Sequence, residues 1–347
     1  MTARSEWTRI EMLRAVLGGA AGERVLYGIG DDAAILAPAA LPPAAPADAV
    51  PAESAPGGPR GGASAGAQEL LVWTVDSAVE GVHFRRDLLS FEDLGYRATM
   101  AAASDLAAMG ARPVGLLAAL VLPRDVGDDE LLALARGQRA ACDALGAAIV
   151  GGNLSRGGEI SITTTALGAA PAPLRRDGAR PGDALALAGP VGLAAAGFAL
   201  LDRGIAPASA AAERAIEAFR RPLARIEAGL RAAVGARAAI DISDGLAADL
   251  AHLARASGVR VLLDPSALVG PDLREAAALL GADALELALH GGEDYAVAVA
   301  GPGVGALPGF VTIGRCAPRE EGASEVALLE PDGQLTSLVA RGYDHFA

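Results

Sequence analysis

The sequence predicts a two-domain protein of mixed α and β structure, and three observations carry that prediction. A chain of 347 residues has material for two hydrophobic cores. A proline step at Pro171-Ala172-Pro173 divides it near the middle, so that 1–170 and 171–347 read as separate domains. Beyond that step, short apolar runs alternate with helical stretches, the order of an α/β domain.

Trp7, Ile10, Leu13 and Leu17 recur at helical spacing and predict a helix over 6–17, stopped by Gly18-Gly19. A strand then feeds Gly28-Ile29-Gly30-Asp31-Asp32, and Ala33 to Leu36 and Glu69 to Val75 read as the two strands of a hairpin. Residues 37–68, between them, are almost all Pro, Ala, Gly and Ser and read as a disordered low-complexity insertion. The first half continues with a helix over 91–109, a strand over 114–122, a helix over 128–145, a strand over 147–150 that opens into a glycine-bearing loop, and a strand over 159–167. In the second half, strands are predicted over 184–188, 238–242, 259–263, 296–299, 311–314 and 326–329. Helices are predicted over 193–201, 210–234 and 245–256, with further helical stretches to Leu289.

Ala184 to Leu201 runs eighteen residues without a charge, but Gly189-Pro190 and its small residues favour a strand, a turn and a buried helix over a membrane span. The first residues carry Arg4 and Glu6 and no apolar signal core, which predicts a cytoplasmic protein. A net charge of -13 argues against nucleic acid or an anionic membrane as partner and suits a protein that collects cations. All 29 basic residues are Arg. Without lysine there is no P-loop, no strand lysine of a protein kinase and no Schiff-base chemistry, so phosphates would have to be handled by metal ions, Arg and backbone amides. Cys142 and Cys316 stand far apart, with no ligand spacing, and read as buried apolar residues.

The informative acids stand at strand ends and glycine turns. Asp31 and Asp32 repel each other in a tight turn, which a divalent ion with oxygen ligands would relieve; a solvated acidic turn is the plainer alternative. Asp76 closes a strand, and His83 follows in a glycine-bearing loop. Asp105 shares a helical stripe with Leu94, Ala98, Ala101 and Ala108, where a carboxylate needs a partner or a metal, unless Ser104 or Asp105 caps a second, shorter helix. Gly151-Gly152-Asn153 with Arg156 could let backbone amides meet an anion, or could be an ordinary hairpin loop. In Asp241-Ile242-Ser243-Asp244-Gly245, Asp241 and Ser243 share one side of an extended segment and Asp244 stands where it would cap the next helix. His290-Gly291-Gly292-Glu293-Asp294-Tyr295 again sets two acids after two glycines. With no His or Cys ligand spacing beside these acids, the residues imply an all-oxygen Mg2+ or Mn2+ site and a phosphoryl-transfer enzyme without a P-loop.

The segments GIGDDAAI, TVDSAVEGVHF, SDLAAMGARP, DISDGLAADL, HGGEDY and the terminal GYDHFA resemble the thiamine-monophosphate kinases, across nearly the whole chain apart from 37–68. That family belongs with aminoimidazole-ribonucleotide synthetase and selenophosphate synthetase, which pair an N-terminal α+β domain with a C-terminal α/β domain and dimerise through the sheet of the first. The resemblance implies transfer of the γ-phosphoryl of ATP to thiamine monophosphate, assisted by several Mg2+ ions. It places Asp32, Thr74, Asp76, Asp105, Asp241 and Asp244 on Mg2+, with Asp31, Val75 and Asn153 beside them; Gly152, Asn153, Arg176 and Ser243 on ATP; and His83, Glu293 and Tyr343 on the thiamine monophosphate. One departure stands out: Asn153 occupies a position where the family commonly has Asp, which removes a negative charge from the metal site. Aminoimidazole-ribonucleotide synthetase and a non-catalytic nucleotide or metal sensor are the alternatives on the same scaffold.

Overall fold

A computed structural model describes residues 25–27, 33–37, 69–339 and 341. The predicted helix over 6–17, the Gly28 to Asp32 turn with Asp31 and Asp32, the insertion from residue 38 to 68, and Tyr343 lie outside the described residues.

The N-terminal sheet is built from β1 (Val25–Tyr27), β2 (Ala34–Leu36), β3 (Leu70–Val79), β4 (Arg112–Leu122), β5 (Ile149–Arg156) and β6 (Ser161–Ala170), in the order β1-β2-β3-β6-β4-β5. The expected hairpin partners pair antiparallel, Ala34 opposite Trp73 and Leu36 opposite Leu71. Two helices cover one face: α1 (Phe91–Ala108) and α2 (Asp128–Leu145). The side chain of Ser90 caps α1 by accepting from the Asp93 N–H at 3.0 Å, and Glu92 and Asp93 add negative charge to its first turn. The two helices meet backbone to backbone, because a β-carbon on Gly137 would stand 1.8 Å from the Glu92 carbonyl oxygen.

The C-terminal half carries β7 (Ala184–Ala188), β8 (Ala238–Ile242), β9 (Val259–Leu263), β10 (Ala296–Gly301), β11 (Val311–Pro318), β12 (Val326–Leu329) and β13 (Leu335–Ser337), ordered β13-β12-β9-β11-β7-β10-β8. The alternation of strands and helices is as expected, but the pairing is antiparallel throughout except between β9 and β12. Its helices are α3 (Leu193–Asp202), α4 (Ala210–Arg220), α5 (Ile226–Ala232), α6 (Leu246–Ser257), α7 (Pro271–Leu280) and α8 (Ala284–His290). The single helix predicted over 210–234 is two: Pro222 forces Arg221 out of the helical region, to φ -131° and ψ 66°. Ala184 to Leu201 forms β7, a turn and α3, and no helix among the described residues is long and apolar enough to cross a membrane.

Met100 and Leu106 of α1 share one buried cluster with Ala228 and Ala232 of α5 and with Val297 and Val299 of β10. Helix α1 is therefore packed by both halves of the chain, and the residues near its C-terminal end lie where the two halves meet.

Candidate active site

A cleft of about 730 Å³ is lined by residues of both halves. The N-terminal half contributes Val75 and Asp76 from β3, His83 from the turn that follows, and Asp105 from α1; the C-terminal half contributes Asp241, Ser243 and Asp244 from the end of β8 and Glu293 and Tyr295 from the segment before β10.

Each group is held by a neighbour. The Thr74 hydroxyl donates to Asp105, joining β3 to α1. Helix α1 runs unbroken through Ser104 and Asp105, so neither caps a second helix; Ser104 instead donates to Oδ2 of the buried Asp241 at 2.7 Å. Asp244 does not cap α6. The N-cap is Gly245 at φ 119°, and the carboxylate that closes this turn is Asp249, which accepts from the N–H groups of Ser243 and Asp244 at 3.0 and 3.1 Å. Burial first, then the nearby charges of Asp244 and Asp241, push the Asp249 carboxyl well above the usual carboxylate range, and Arg176 partly offsets them.

His83 accepts from the Val79 N–H at Nδ1, 3.0 Å away, which leaves the proton of the neutral ring on Nε2 as a donor. Glu293 pairs with the buried Arg97 of α1. Asp294 accepts from Gly192 and Ala194 at 2.6 and 3.1 Å; burial raises its carboxyl to about 7 against the pull of those two bonds.

The glycine-bearing stretch after residue 150 is not a loop. Gly151 to Arg156 continue β5, paired parallel with β4, because Gly152 lies where a β-carbon would stand 1.8 Å from the Ala118 carbonyl oxygen. Arg156 donates to the Pro123 carbonyl at 3.0 Å. Across the sheet, Asp76, Thr164, Ala118 and Gly152 form one row, and Ser77, Thr163, Ala119 and Asn153 form the next. Gly152 thus shares a sheet face with Asp76, whereas Asn153 stands on the opposite face, three strand spacings or about 14 Å from Ser77. Gly152, Asn153 and Arg176 are not among the residues lining the cleft.

Asp76, Asp105, Asp241 and Asp244 supply oxygen donors of the type a hard cation takes, although among the described residues no three His, Cys, Asp or Glu side chains converge as a ready-made metal cluster. The charges of Asp241 and Asp244, close enough to disfavour ionisation of Asp249, are what a cation would offset. Cys142 and Cys316 are buried as expected, and burial pushes the Cys316 thiol up to about 12. Sequence reading took Ser104 only as a helix-cap candidate and missed Asp249 and Arg97. The same signal that marked Asp105, a charged group within an apolar run, was available for those two.

Residues 30–170 match the family described as AIR synthase related protein, N-terminal domain, and residues 180–303 match its C-terminal domain. The chain is 38% identical to the thiamine-monophosphate kinase of Mycobacterium tuberculosis over 311 residues, 87% of this chain and 82% of that one. It is 36% identical to the Salmonella typhimurium enzyme over 293 residues, 81% of this chain and 88% of the other. The solved structure of AaThiL complexed with AMPPCP and TMP superposes with a TM-score of 0.80 at 29% identity, covering 99% of this chain and 97% of that one. With both domains of the fold and most of its length matched in this way, the chain belongs to the thiamine-monophosphate kinase family of AIR synthase-related proteins.

Proposed function

We propose that the protein transfers the γ-phosphoryl group of ATP to thiamine monophosphate, giving thiamine diphosphate, in the cytoplasm where ATP is at hand. The observation that carries this reading is the cleft shared by the two halves, lined by Asp76, Asp105, Asp241 and Asp244 as well as by His83 and Glu293. Relatives at 36 and 38% identity are named for this activity, and the superposed AaThiL structure holds AMPPCP and TMP.

In this reading Thr74, Val75, Asp76, Asp105, Asp241 and Asp244, together with Asp31 and Asp32, hold several Mg2+ ions, whose chemistry is to neutralise the phosphate oxygens of both substrates. Gly152, Arg176 and Ser243 take the nucleotide side, and Asn153, on the opposite face of the sheet, has no part in it. His83 donates from Nε2 to the acceptor phosphate, and Glu293 accepts from the aminopyrimidine. Tyr343 stacks on the cationic ring. A phosphate monoester with a second pKa of about 6 is already ionised at neutral pH, so its terminal oxygen attacks in line without a general base. The residues then need only orient the two anions and screen their charge.

The reading includes a homodimer formed through the N-terminal sheet. Trp73, Val75 and Leu117 stand on the face turned away from α1, each more than two-fifths exposed, and Val75 and Leu117 lie in one cross-strand row through Thr165. Large apolar side chains gathered on one sheet face fit a protein partner.

The test is to incubate the purified protein with ATP, Mg2+ and thiamine monophosphate and to follow thiamine diphosphate and ADP. Equal amounts of the two products are expected. Absence of both, with nucleotide binding intact, would replace the kinase with a nucleotide sensor.

A further inference from the structure

Arg97 lies on α1, in the N-terminal half, yet among the described residues the groups that meet its guanidinium belong to the C-terminal half. It is 4% exposed. One nitrogen donates to the carbonyl of Phe219 at the end of α4, another pairs with the Glu293 carboxylate, and its central carbon sits 4.6 Å from the centre of the Phe219 ring. Burial works against its charge, but the neighbouring Glu293, Tyr295 and Asp294 outweigh that and hold the guanidinium above its ordinary value.

The partner carboxylate is in an unusual place. Glu293 has a φ of 66° and Tyr295 a φ of 48°, left-handed conformations that residues with a side chain rarely adopt and keep only when their surroundings impose them. The surroundings here are specific. Backbone N–H groups of Glu293 and Tyr295 donate to Ser243 and Ile242 at 2.6 and 2.8 Å, and Asp294 receives two N–H groups from the start of α3, those of Gly192 and Ala194. Those bonds fix the backbone of the segment. What orients the Glu293 side chain, itself about one-third exposed at the cleft, is Arg97.

We infer that Arg97 is a positioning residue for the acceptor substrate: from the N-terminal half it holds the Glu293 carboxylate in one orientation, toward the ring system of thiamine monophosphate. The inference rests on the proposed kinase reading for the identity of that substrate. Its chemistry needs an arginine. The planar fork can serve the Phe219 carbonyl and the Glu293 carboxylate together while its face lies on an aromatic ring, whereas a lysine ammonium is a single compact charge.

The experiment is a double-mutant cycle of Arg97→Lys and Glu293→Gln, with the unaltered protein as its first arm. Arg97→Lys is expected to raise KM for thiamine monophosphate about tenfold and to leave KM for ATP within about twofold. In the Glu293→Gln background the same change should add less than about twofold, since the carboxylate it serves is gone. An equal loss in both backgrounds, or a parallel rise of both KM values, would overturn the assignment. If the unaltered protein makes no thiamine diphosphate, the kinase reading fails first. The anchoring is then decided by a crystal structure of Arg97→Lys, in which the Glu293 side chain should leave the orientation it has in the unaltered protein while its backbone stays in place; an unmoved carboxylate refutes it.

Discussion

The hydroxyl of Ser104, on a helix of the N-terminal half, donates to the carboxylate of Asp241, at the end of a strand of the C-terminal half, over 2.7 Å. Both residues are buried, so the bond has no water to replace it. Ser104→Ala removes this bond from the carboxylate, a loss of about 1–3 kcal/mol. Turnover should fall about tenfold and the Mg2+ needed for half-maximal rate should shift, with the circular dichroism spectrum unchanged. A Mg2+ titration of the steady-state rate reads both, and unaltered curves would show that the bond is structural only.

Asp294 gives stability a pH dependence of unusual sign for a carboxylate. Its folded value of about 7 lies above the ordinary 3.8, so the folded chain binds its proton more tightly than the unfolded chain. The associated stability is fully present below pH 3.8 and is lost as pH rises through about 7, a change on the order of 4 kcal/mol. Asp294→Asn removes this dependence. Its thermal midpoint relative to the unaltered protein should therefore improve from pH 5 to about pH 7 and level off above that, as scanning fluorimetry at several pH values would reveal.

Gly137→Ala should destabilise the N-terminal half, since the added methyl would stand 1.8 Å from the Glu92 carbonyl oxygen and force α1 and α2 apart. A cost of about 1–3 kcal/mol is expected in urea unfolding. Gly158→Ala is the control: its β-carbon meets nothing within 4 Å, and its midpoint should not move.

Leu117→Arg tests the proposed dimer. Leu117 is 44% exposed on the outer sheet face, so the charge is tolerated by the isolated chain and resisted only by a partner. Light scattering should show a dimer for the unaltered protein and a monomer for the variant, with the same far-ultraviolet spectrum. A monomer in both cases removes the dimer from the reading.

His83→Ala should raise KM for thiamine monophosphate about tenfold with little change in KM for ATP, because the lost group is a donor to the acceptor side alone. Equal losses for both substrates would move His83 to the nucleotide side.

Where a segment's own periodicity decides its structure, the sequence was sufficient: the helix over 128–145 and the strands over 184–188, 238–242, 259–263 and 326–329 end where expected. Pairing across the chain was not legible. Gly151 to Arg156 read as a loop because glycines usually punctuate, and only the neighbouring β4 shows why they continue a strand. Strand direction in the C-terminal sheet was hidden for the same reason. Within the site, the acids stood out because a carboxylate at a strand end or on an apolar stripe is costly without a partner. The partners did not stand out. Ser104 and Asp241 are separated by 137 residues, and a hydroxyl carries no signal until its acceptor is known.

The sharing of α1 between the two sheets bears on how the chain is made. Met100 and Leu106 are complete only when Val297 and Val299, near the other end of the chain, arrive beside them. At a synthesis rate of about 5–20 residues per second, the helix waits on the order of 10–40 s on the ribosome with part of its apolar surface uncovered. The N-terminal half is thus an unfinished core for most of the chain's synthesis, and the nascent chain is a client for whatever shields exposed apolar surface until β10 is delivered.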